Sequence, residues 1–534
     1  MTPAQSSPSV LRFLLPSVRD IIFIFLFWSL LAGVLSNRPL ADPDIGWHIR
    51  TGEQILATHS LPRTDPFSST MQGQPWFAWE WLYDILLGIL HRASGLNGVV
   101  WLCALLVATT FALLLSQLVK RGTGLLLAIV LMLLAEAAAT IHLYARPHIV
   151  SWLFSLLWFV VLDRWERWGW CERGSVPRWI AWFFPVSMLL WVNLHGGWLF
   201  GIALLGIYTS VAFVESLRAR DAFAAIRAAH RARAMFAAWV AAALATLVNP
   251  YGWHLHTHIY RYLSDRYLMN RIDEFKSPDF HSGGARCFAL ILMLVLIALV
   301  VQHKKLRLSH LLVVLLAAYT GFYSSRNVPV SSMLLVLIVA PILWENFVAL
   351  ADASGAWRWL RKSIAQISDF SDRMGAQEVQ LRGHLWPIVA VAAALAICLQ
   401  GGWLGSRQLI HAQFDPRRVP VAAVDFLEKQ TNTEPVFSTD AWGGYLIYRM
   451  QRGGMYPERK VVVDDRHDLY GSDRIRDYLI LTQAEPGWRS VLEEWKIQTV
   501  LLPPGSTLAN LLRELPQDWH ITYEDKVAVV FEKR

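Results

Sequence analysis

The sequence predicts an α-helical polytopic membrane protein with a small C-terminal α/β domain. Apolar runs almost free of charge occupy residues 21–36, 99–115 and 332–343, whereas residues 403–534 contain no such run. A helix needs about 20 apolar residues to cross the hydrocarbon core, and only a helix satisfies its own backbone hydrogen bonds there. The composition agrees, because 54% of the residues are hydrophobic and the mean hydropathy is +0.35.

On this criterion the chain contains about eleven candidate membrane spans. They lie near residues 20–37, 98–118, 123–141, 148–163, 178–194, 198–215, 233–248, 286–301, 307–322, 328–350 and 385–402. We therefore predict a transmembrane domain over residues 1–402, in which residues 38–97 form a long first exterior loop. Residues 403–534 are predicted to form a separate soluble domain.

The basic residues orient the chain in the membrane. The formal net charge is +8, and Lys and Arg concentrate in residues 120–121, 164–178, 218–233, 304–307 and 358–382. The positive-inside rule places these loops and the N-terminus in the cytoplasm. The C-terminal domain is then extracytoplasmic. Because orientation explains the charge and membrane lipids surround the spans, we expect no nucleic-acid partner.

The cysteines do not indicate a disulfide framework or a zinc site. Three of them, Cys103, Cys287 and Cys398, fall inside predicted spans, and Cys171 falls in a cytoplasmic loop. Disulfide frameworks need paired cysteines in an oxidising compartment. The spacing of Cys and His also matches no structural zinc motif.

Local patterns predict elements outside the spans. Helical spacing in the first loop predicts interfacial helices over residues 48–59 and 80–93. In the C-terminal domain, residues 421–429 and 490–495 favour helices, and residues 460–463, 499–502 and 527–531 favour strands. Five residues are placed in loops beside these strands: Trp442, Gly443, Asp464, Asp465 and Arg466. Asp465 and Arg466 either pair with each other or help to select an acceptor.

The predicted topology brings eight polar motifs to one side of the membrane. They are "ADPDIGWHIRTGEQIL", "PRTDPF", "PWFAWEW", "HLYARPHIV", "WVNLHGGW", "NPYGWHLHTH", "DEFKSPDF" and "SSRNVP". Charged groups in or beside membrane spans are costly and are functional-site candidates for that reason. The convergence of these motifs indicates a single exterior site.

The acidic candidates have two interpretations each. Asp42 and Asp44 flank a proline, so they either start a turn or act in catalysis or metal binding, together with His48. Glu80 either interacts with the positive end of a helix dipole or takes part in the chemistry.

The basic candidates are equally open. Arg146 and Arg326 lie beside span ends, where they either extend to the lipid headgroups or bind an anion such as phosphate. His195 precedes two glycines and either belongs to a tight hairpin or faces the site.

These motifs resemble those of a bacterial family of GT-C-type membrane glycosyltransferases. The resemblance is carried by "DPDIGWH" with "PRTDPFS" and, in the same order, by "ARPHI", "WVNLHGG", "NPYG", "DEFKSPDF", "SRNVP", "WGGYLI" and "DDRHDLYG". It covers nearly the whole chain. Two positions depart from the family pattern: Ala78 stands where a histidine is expected, and Gly46 replaces an aromatic residue. If that histidine contributes to catalysis in the family, another group, for example His48, must substitute for it.

The resemblance implies an enzyme of the bacterial cytoplasmic (inner) membrane. It would transfer a sugar, with inversion, from a polyprenyl-phosphate-linked donor to an extracytoplasmic glycan, lipid or protein acceptor. Asp44 matches the exterior aspartate that acts as the base, with Asp42, Glu80 and His48 as further catalytic candidates. The predicted substrate-binding residues are Arg146, His148, Asn193, His195, Arg326 and Asn327. A divalent metal, Mg²⁺ or Mn²⁺, held by Asp42 and Asp44 is the expected cofactor if one is used.

Two other functions fit the same sequence. A transporter or flippase of a lipid-linked or anionic substrate would place charges along its spans, whereas a non-catalytic assembly factor could keep the GT-C scaffold without needing Asp44 or Glu80.

Overall fold

The structure is a computed structural model that describes residues 14–168, 178–219, 221–302, 305–352, 357–381, 384–451 and 458–534. Cys171 and Lys304, both assigned above to cytoplasmic loops, lie outside these residues.

Helices dominate the first 402 residues. Within the described ranges they are α1 Val18–Leu31, α2 Ile45–Thr58, α3 Trp81–Ser94, α4 Leu96–Lys120, α5 Leu125–Ala139, α6 His148–Trp168, α7 Arg178–Leu194, α8 Trp198–Arg218, α9 Ala222–Ala245, α10 Trp253–Ser264, α11 Arg266–Met269, α12 Gly283–Val301, α13 Leu308–Tyr323, α14 Val328–Ala349, α15 Arg358–Gln380 and α16 Leu385–Leu399. Short 3₁₀ turns cover Thr140–His142, Asp273–Phe275, Ser325–Asn327 and Leu350–Asp352.

Six of the described helices are long and apolar enough to cross a membrane, and a seventh span forms if α15 and α16, which meet at a 67° bend, count as one. The chain is therefore a multi-pass membrane protein. Helices occupy all eleven predicted positions, but a count of eleven spans is not confirmed. Helices α1, α7 and α13 have only 14, 17 and 16 residues, and α9 begins with a stretch that contains three arginines.

Helix α14 forms the centre of the bundle. Its side chains are buried almost without interruption from Ser331 to Ala340, and it packs against α4, α5, α6, α12 and α13. A helix that is apolar on all sides needs neighbours on all sides, unlike a surface helix with one apolar stripe. The other spans surround it and carry the connecting segments to the two ends of the bundle.

Helices α2 and α3 of the first loop pack tightly against each other. A Cβ atom on Gly88 would lie only 2.7 Å from the carbonyl carbon of Gly52, so glycine is required for this approach. The buried face of α3 carries Tyr83 and Asp84, whereas Leu86 and Ile89 are exposed. The close packing brings the side chains of α2 and α3 into direct contact at the end of the bundle.

The C-terminal part contains a small mixed sheet with helices on its faces. Its elements are β1 Trp403–Leu404, β2 Arg407–Gln408, α17 Val421–Glu428, β3 Val436–Ser438, α18 Asp440–Met450, α19 His467–Thr482, α20 Trp488–Glu494, β4 Thr499–Leu502, α21 Thr507–Arg513, β5 Trp519–Glu524 and β6 Val529–Lys533. The strand order is β3-β4-β6-β5, with β3 and β4 parallel and the other neighbours antiparallel. β4 is buried along its whole length, as expected for a central strand.

Two predicted features of this part differ from the structure. Residues 460–463 form only isolated bridges through Val461, to Ser68 and Val436, rather than a strand. Trp442 and Gly443 lie inside α18 and not in a loop. Residues 436–438 form a strand that the pattern did not reveal, because three residues are too few to establish a period of two.

The C-terminal part contacts the first loop directly. Arg466 forms an ion pair with Asp65 at 2.8 Å and with Asp464 at 2.7 Å. Of the two alternatives for Asp465 and Arg466, mutual pairing is therefore not what the described structure shows. A Cβ atom on Gly444 of α18 would lie 2.7 Å from Cα of Asp44, so the backbones of α18 and the first loop touch. This contact places residues of the C-terminal part beside the acidic motif that precedes α2.

Candidate functional site

The centre of the candidate site is one guanidinium group surrounded by three carboxylates. Nη1 of Arg146 lies 2.7 Å from Asp42, 3.3 Å from Asp44 and 2.7 Å from Glu274. Asp42 and Asp44 come from the segment before α2, Arg146 from the connection between α5 and α6, and Glu274 from the 3₁₀ turn before α12. The structure thus brings three predicted residues together and adds Glu274, which lies in the quoted motif "DEFKSPDF" but was not itself singled out.

The local sequence explains how the two aspartates are presented. The Oδ1 atom of Asp42 accepts a hydrogen bond from the backbone N–H of Asp44 at 3.0 Å, which closes a turn around Pro43. Asp44 then precedes α2 but makes no side-chain cap on it. Its carboxylate consequently points to Arg146 instead of the helix terminus, so the turn and the polar cluster occur together.

Burial and charge act against each other in this cluster. Burial raises the pKa of Asp44 well above its usual range, and the nearby Asp465 and Asp42 add to the effect. Burial also disfavours the charge on Glu274, but Arg146 and Arg326 hold the pKa of that carboxyl well below its usual range. Glu274 is therefore the ionised partner of the arginines.

A second group of residues lies between α2 and α3. Nδ1 of His48 is 2.7 Å from Oδ1 of Asp84, and Nε2 is 3.7 Å from Glu80. The imidazole stacks on Trp47 with a ring separation of 3.5 Å. Burial lowers the pKa of His48 well below its usual value, so the ring is neutral. Asp84 was missed in the sequence because it lies within an apolar helix with no motif around it.

Glu80 is a buried carboxyl group whose protonation changes near neutral pH. Burial raises its pKa to about 7, although Arg326 and Arg146 oppose the shift. Its Oε1 atom is 3.6 Å from Nε2 of His195, and the same nitrogen is 3.0 Å from Nη2 of Arg326. A carboxyl group with this pKa can both take up and release a proton at physiological pH.

His195 is held by the hairpin that contains it. Its Nδ1 atom accepts a hydrogen bond from the N–H of Gly197 at 2.9 Å and lies 2.7 Å from the hydroxyl of Ser151. Burial, with help from Arg326, lowers the pKa of His195 well below its usual value. His195 therefore both belongs to the hairpin and faces the site, because the hairpin orients its ring toward Glu80 and Arg326.

These side chains form the polar end of a cavity of about 400 Å³. Its remaining walls are mostly apolar and aromatic, and they come from α6, α8, α10, α13 and the start of α14. The lining residues include Glu80, His148, His195, Arg326, Asn327, Trp152, Phe200, Leu263, Leu316 and Val330. In the described part of the chain the lining includes Arg326 but neither Arg146 nor Asp44. The arrangement suits a ligand with an apolar body and an anionic group at one end.

The remaining predicted binding residues make structural hydrogen bonds. Oδ1 of Asn193 accepts from the indole of Trp81, and its Nδ2 donates to two backbone carbonyls. Asn327 Nδ2 donates to the carbonyl of Thr320 at 3.3 Å. Nε2 of His148 is 2.6 Å from the carbonyl oxygen of His142. Asn193 therefore supports α3, whereas Asn327 and His148 also face the cavity.

A divalent metal was expected between Asp42 and Asp44. In the structure the cation that both carboxylates contact is Arg146. Two other groups in the described residues bring three potential metal ligands within 4.8 Å of one another: Asp163, Glu166 and His310, and Asp440, Asp465 and His467.

The first of these groups lies at the far end of the bundle, because Asp163 follows His148 by 15 residues along α6, or roughly 22 Å. There, Arg307 pairs with Asp163 at 2.5 Å and with Glu166 at 2.6 Å. Buried charges thus occupy both ends, and not one end as the motifs indicated.

The fold is similar to that of solved oligosaccharyltransferase structures. The structure of the archaeal oligosaccharyltransferase AglB from Archaeoglobus fulgidus, in complex with an inhibitory peptide and a dolichol-phosphate, matches with a TM-score of 0.52 and 11% identity over 91% of this chain and 69% of that one. The apo form of the Archaeoglobus fulgidus oligosaccharyltransferase matches with a TM-score of 0.51 and 12% identity over 90% and 69%. No family model and no curated protein sequence matches the chain.

At these sequence identities the matches show a similarity of fold only. The fold resembles that of these archaeal oligosaccharyltransferases.

Proposed function

We propose that the protein is a membrane glycosyltransferase that moves a sugar from a polyprenyl-phosphate-linked donor to an extracytoplasmic acceptor. The observation that carries this proposal is the cavity in which apolar walls lead to Glu80, His195 and Arg326. An apolar chain fits such walls, and the phosphate fits the half-buried Arg326. The AglB structure, which contains a dolichol-phosphate, gives independent support for a lipid-phosphate ligand in this fold.

Arg326 is the proposed contact for the donor phosphate. It lines the cavity, and its guanidinium can present a planar fork of donors to phosphate oxygens. As the sugar leaves, negative charge develops on the phosphate, and a fixed cation in a site that excludes water stabilises this charge. Arg146, whose Nη1 atom contacts three carboxylates, acts in this proposal mainly by holding Asp42, Asp44 and Glu274 in place.

Glu80 is the proposed base, in preference to Asp44. It lines the cavity, and its pKa of about 7 leaves a substantial ionised fraction at neutral pH. In the reaction, Glu80 takes the proton from the acceptor hydroxyl as that oxygen attacks the sugar carbon and the bond to the phosphate breaks. Asp44 is buried behind Arg146 with a raised pKa, which suits a carboxyl that supports the site rather than one that accepts the proton first.

The proposal is tested by comparing the lipid-linked sugars and the envelope glycans of cells with and without the gene. Mass spectrometry should detect a sugar that is lost in the deletion strain and restored by the wild-type gene but not by Glu80→Gln. Glu514→Gln is the matched control, because Glu514 is exposed on the C-terminal part. An unchanged set of glycans, or an intact lipid-linked precursor that accumulates on the inner leaflet, would refute transfer and indicate the transporter instead.

A further inference from the structure

Helix α15 caps the first turns of two other helices. At the start of α1, the N–H groups of Val18 and Arg19 donate to the Glu378 carboxylate at 2.8 and 3.3 Å. At the start of α5, the N–H of Leu126 donates to the hydroxyl of Ser371 at 3.1 Å. The first N–H groups of a helix have no partner inside that helix, so α15 satisfies groups that would otherwise be unpaired. These contacts fix α15 at the end of the bundle where α1 and α5 begin.

The direction of α15 follows from the same contacts. Ser371 and Glu378 lie about two turns apart, or roughly 10 Å along the helix axis, and each contacts the end of a different helix. Between them, a Cβ atom on Gly375 would lie 3.7 Å from Val119, near the end of α4. A helix that meets the ends of three neighbours within two turns runs across those ends and not alongside them. This end is opposite the candidate site, because Arg146 follows the other end of α5.

The outward surface of α15 is divided into an apolar face and a polar face. The exposed apolar residues recur at helical spacing, which places them on one side, and they are Trp359, Leu360, Ile367 and Phe370. The exposed charged residues lie on the opposite side, and they are Arg358, Arg361, Lys362, Asp369, Asp372 and Arg373. The buried positions that contact the bundle, Ile364, Ser368, Ser371 and Glu378, lie between the two faces.

This pattern is typical of a helix that lies in the plane of the membrane. Seven of the 23 residues of α15 are charged, which makes a passage through the hydrocarbon core costly. An interfacial helix instead inserts its apolar face between the headgroups and leaves its polar face in water. The apolar face also has a neighbour of the same character. Beside Ser371, the exposed side chains of Leu126, Val130 and Leu133 begin the outer surface of α5, a helix long and apolar enough to span.

The first turns of α15 carry positive charge. Arg358, Arg361 and Lys362 are exposed, and the sequence of α15 has no acidic residue before Asp369. Trp357 and Trp359 flank Arg358 and are 71% and 62% exposed. Exposed tryptophans beside basic side chains are typical of the headgroup level of a bilayer. Basic clusters at this level are attracted to anionic lipids.

We propose that α15 is an in-plane helix that binds anionic lipid headgroups of the leaflet opposite the candidate site. Its apolar face enters that leaflet, and Arg358, Arg361 and Lys362 contact the lipid phosphates. In the proposed orientation this is the cytoplasmic leaflet. α15 and α16 then do not form a single span. The proposal does not depend on which reaction the protein catalyses.

The depth of single side chains tests the position of α15. Asp369→Cys and Phe370→Cys are made separately in a cysteine-free background, and the full-length protein in nanodiscs is labelled with a nitroxide. The two positions are adjacent but lie on different faces. The label at Phe370 should therefore be accessible to oxygen dissolved in the bilayer, and the label at Asp369 to a water-soluble nickel complex. Nearly equal depths, as in a helix that crosses the membrane, would overturn the proposal. So would a label at Phe370 that is protected from both reagents, because a protein partner would then cover this face.

The lipid preference is tested with the same label at Phe370. It should lie deeper in nanodiscs that contain phosphatidylglycerol than in nanodiscs of phosphatidylcholine alone. Combining Arg358→Gln, Arg361→Gln and Lys362→Gln should abolish this difference, and 1 M salt should reduce it, because the Debye length is then only about 3 Å.

The matched control combines Arg489→Gln, Lys496→Gln and Lys526→Gln, which remove three exposed cations from the C-terminal part. This control should keep the dependence on phosphatidylglycerol. Equal depth of the wild-type label in both lipids, or equal effects of the two triple variants, would overturn the proposed contact with anionic lipid.

Discussion

Nδ1 of His48 lies 2.7 Å from Oδ1 of Asp84, and both side chains are buried between α2 and α3. When Nδ1 donates to Asp84, Nε2 keeps its lone pair and faces Glu80 at 3.7 Å. Nε2 has no hydrogen-bond partner in the described structure. The contact with Asp84 holds the ring so that Nε2 faces Glu80.

Glu80→Gln should lower the transfer rate by about 10²–10⁴-fold, because it removes the proposed base while preserving the shape of the side chain. The rate is measured with membranes or purified protein once the donor is known from the glycan comparison. Asp44→Asn, measured in the same assay, distinguishes between the two candidate bases. If Glu80→Gln transfers sugar normally and Asp44→Asn does not, the base is Asp44 instead.

The wild-type rate should rise with pH between about 6 and 8, because Glu80 has a pKa of about 7 and must be ionised to act as a base. Glu80→Gln should lack this dependence in its residual activity. A wild-type profile that stays flat across this interval would contradict the assignment.

The same pKa predicts a change in stability. The folded pKa of Glu80 is raised above its unfolded value, so the folded state binds more protons than the unfolded state between pH 4.5 and about 7. Burial of the ionised form is therefore unfavourable above pH 7. Glu80→Gln should raise the Tm more at pH 8 than at pH 5. An equal Tm difference at both pH values would show that Glu80 does not titrate as described.

Asp84→Asn should lower kcat with little effect on KM, since Asp84 orients His48 and does not line the cavity. The pH at which the rate is half-maximal should also move, because the proton balance between His48 and Glu80 changes. A purely structural role would lower the Tm without shifting the pH profile.

Arg146→Met should destabilise the protein by about 3–5 kcal/mol, because it leaves Asp42, Asp44 and Glu274 without their shared cation. Thermal unfolding in detergent measures the effect. Arg146→Lys should recover part of the stability, because it keeps a positive charge beside the three carboxylates. A Met variant with wild-type Tm would show that the carboxylates are compensated in another way.

Gly444→Ala should reduce transfer strongly, because the added Cβ would lie 2.6 Å from the carbonyl of Pro43 and 2.7 Å from Cα of Asp44. The backbone of α18 would have to move away from the first loop. Gly505→Ala is the matched control, because no atom lies within 4 Å of its added Cβ. Equal activity of the two variants would mean that this contact does not support the site.

The proposed orientation is tested by cysteine labelling in a cysteine-free background. Cysteines at Ser60 and Ser490, both exposed near the site end, should react with an impermeant maleimide in intact cells. Cysteines at Ala222 and Asp372, exposed at the far end, should react only after the cells are permeabilised. The opposite pattern would place the candidate site in the cytoplasm.

The sequence determined the properties that depend on local composition and short patterns. Uninterrupted apolar runs predicted the helices of the bundle, and the motif around Pro43 left a turn and a polar site as alternatives, which the structure combines. The helix over residues 421–429 and the strand over residues 499–502 were confirmed. It also indicated the GT-C resemblance, because the motifs follow the family order.

Only the tertiary structure decided which of these residues meet. Arg466 pairs with Asp65, some 400 residues away, and not with its neighbour Asp465. Asp84 and Glu274 enter the site through contacts that no spacing reveals, because α2 packs on α3 and a 3₁₀ turn folds against Arg146. The roles of buried charges depend on their partners and on desolvation. Both are properties of the assembled bundle and not of any segment of the chain.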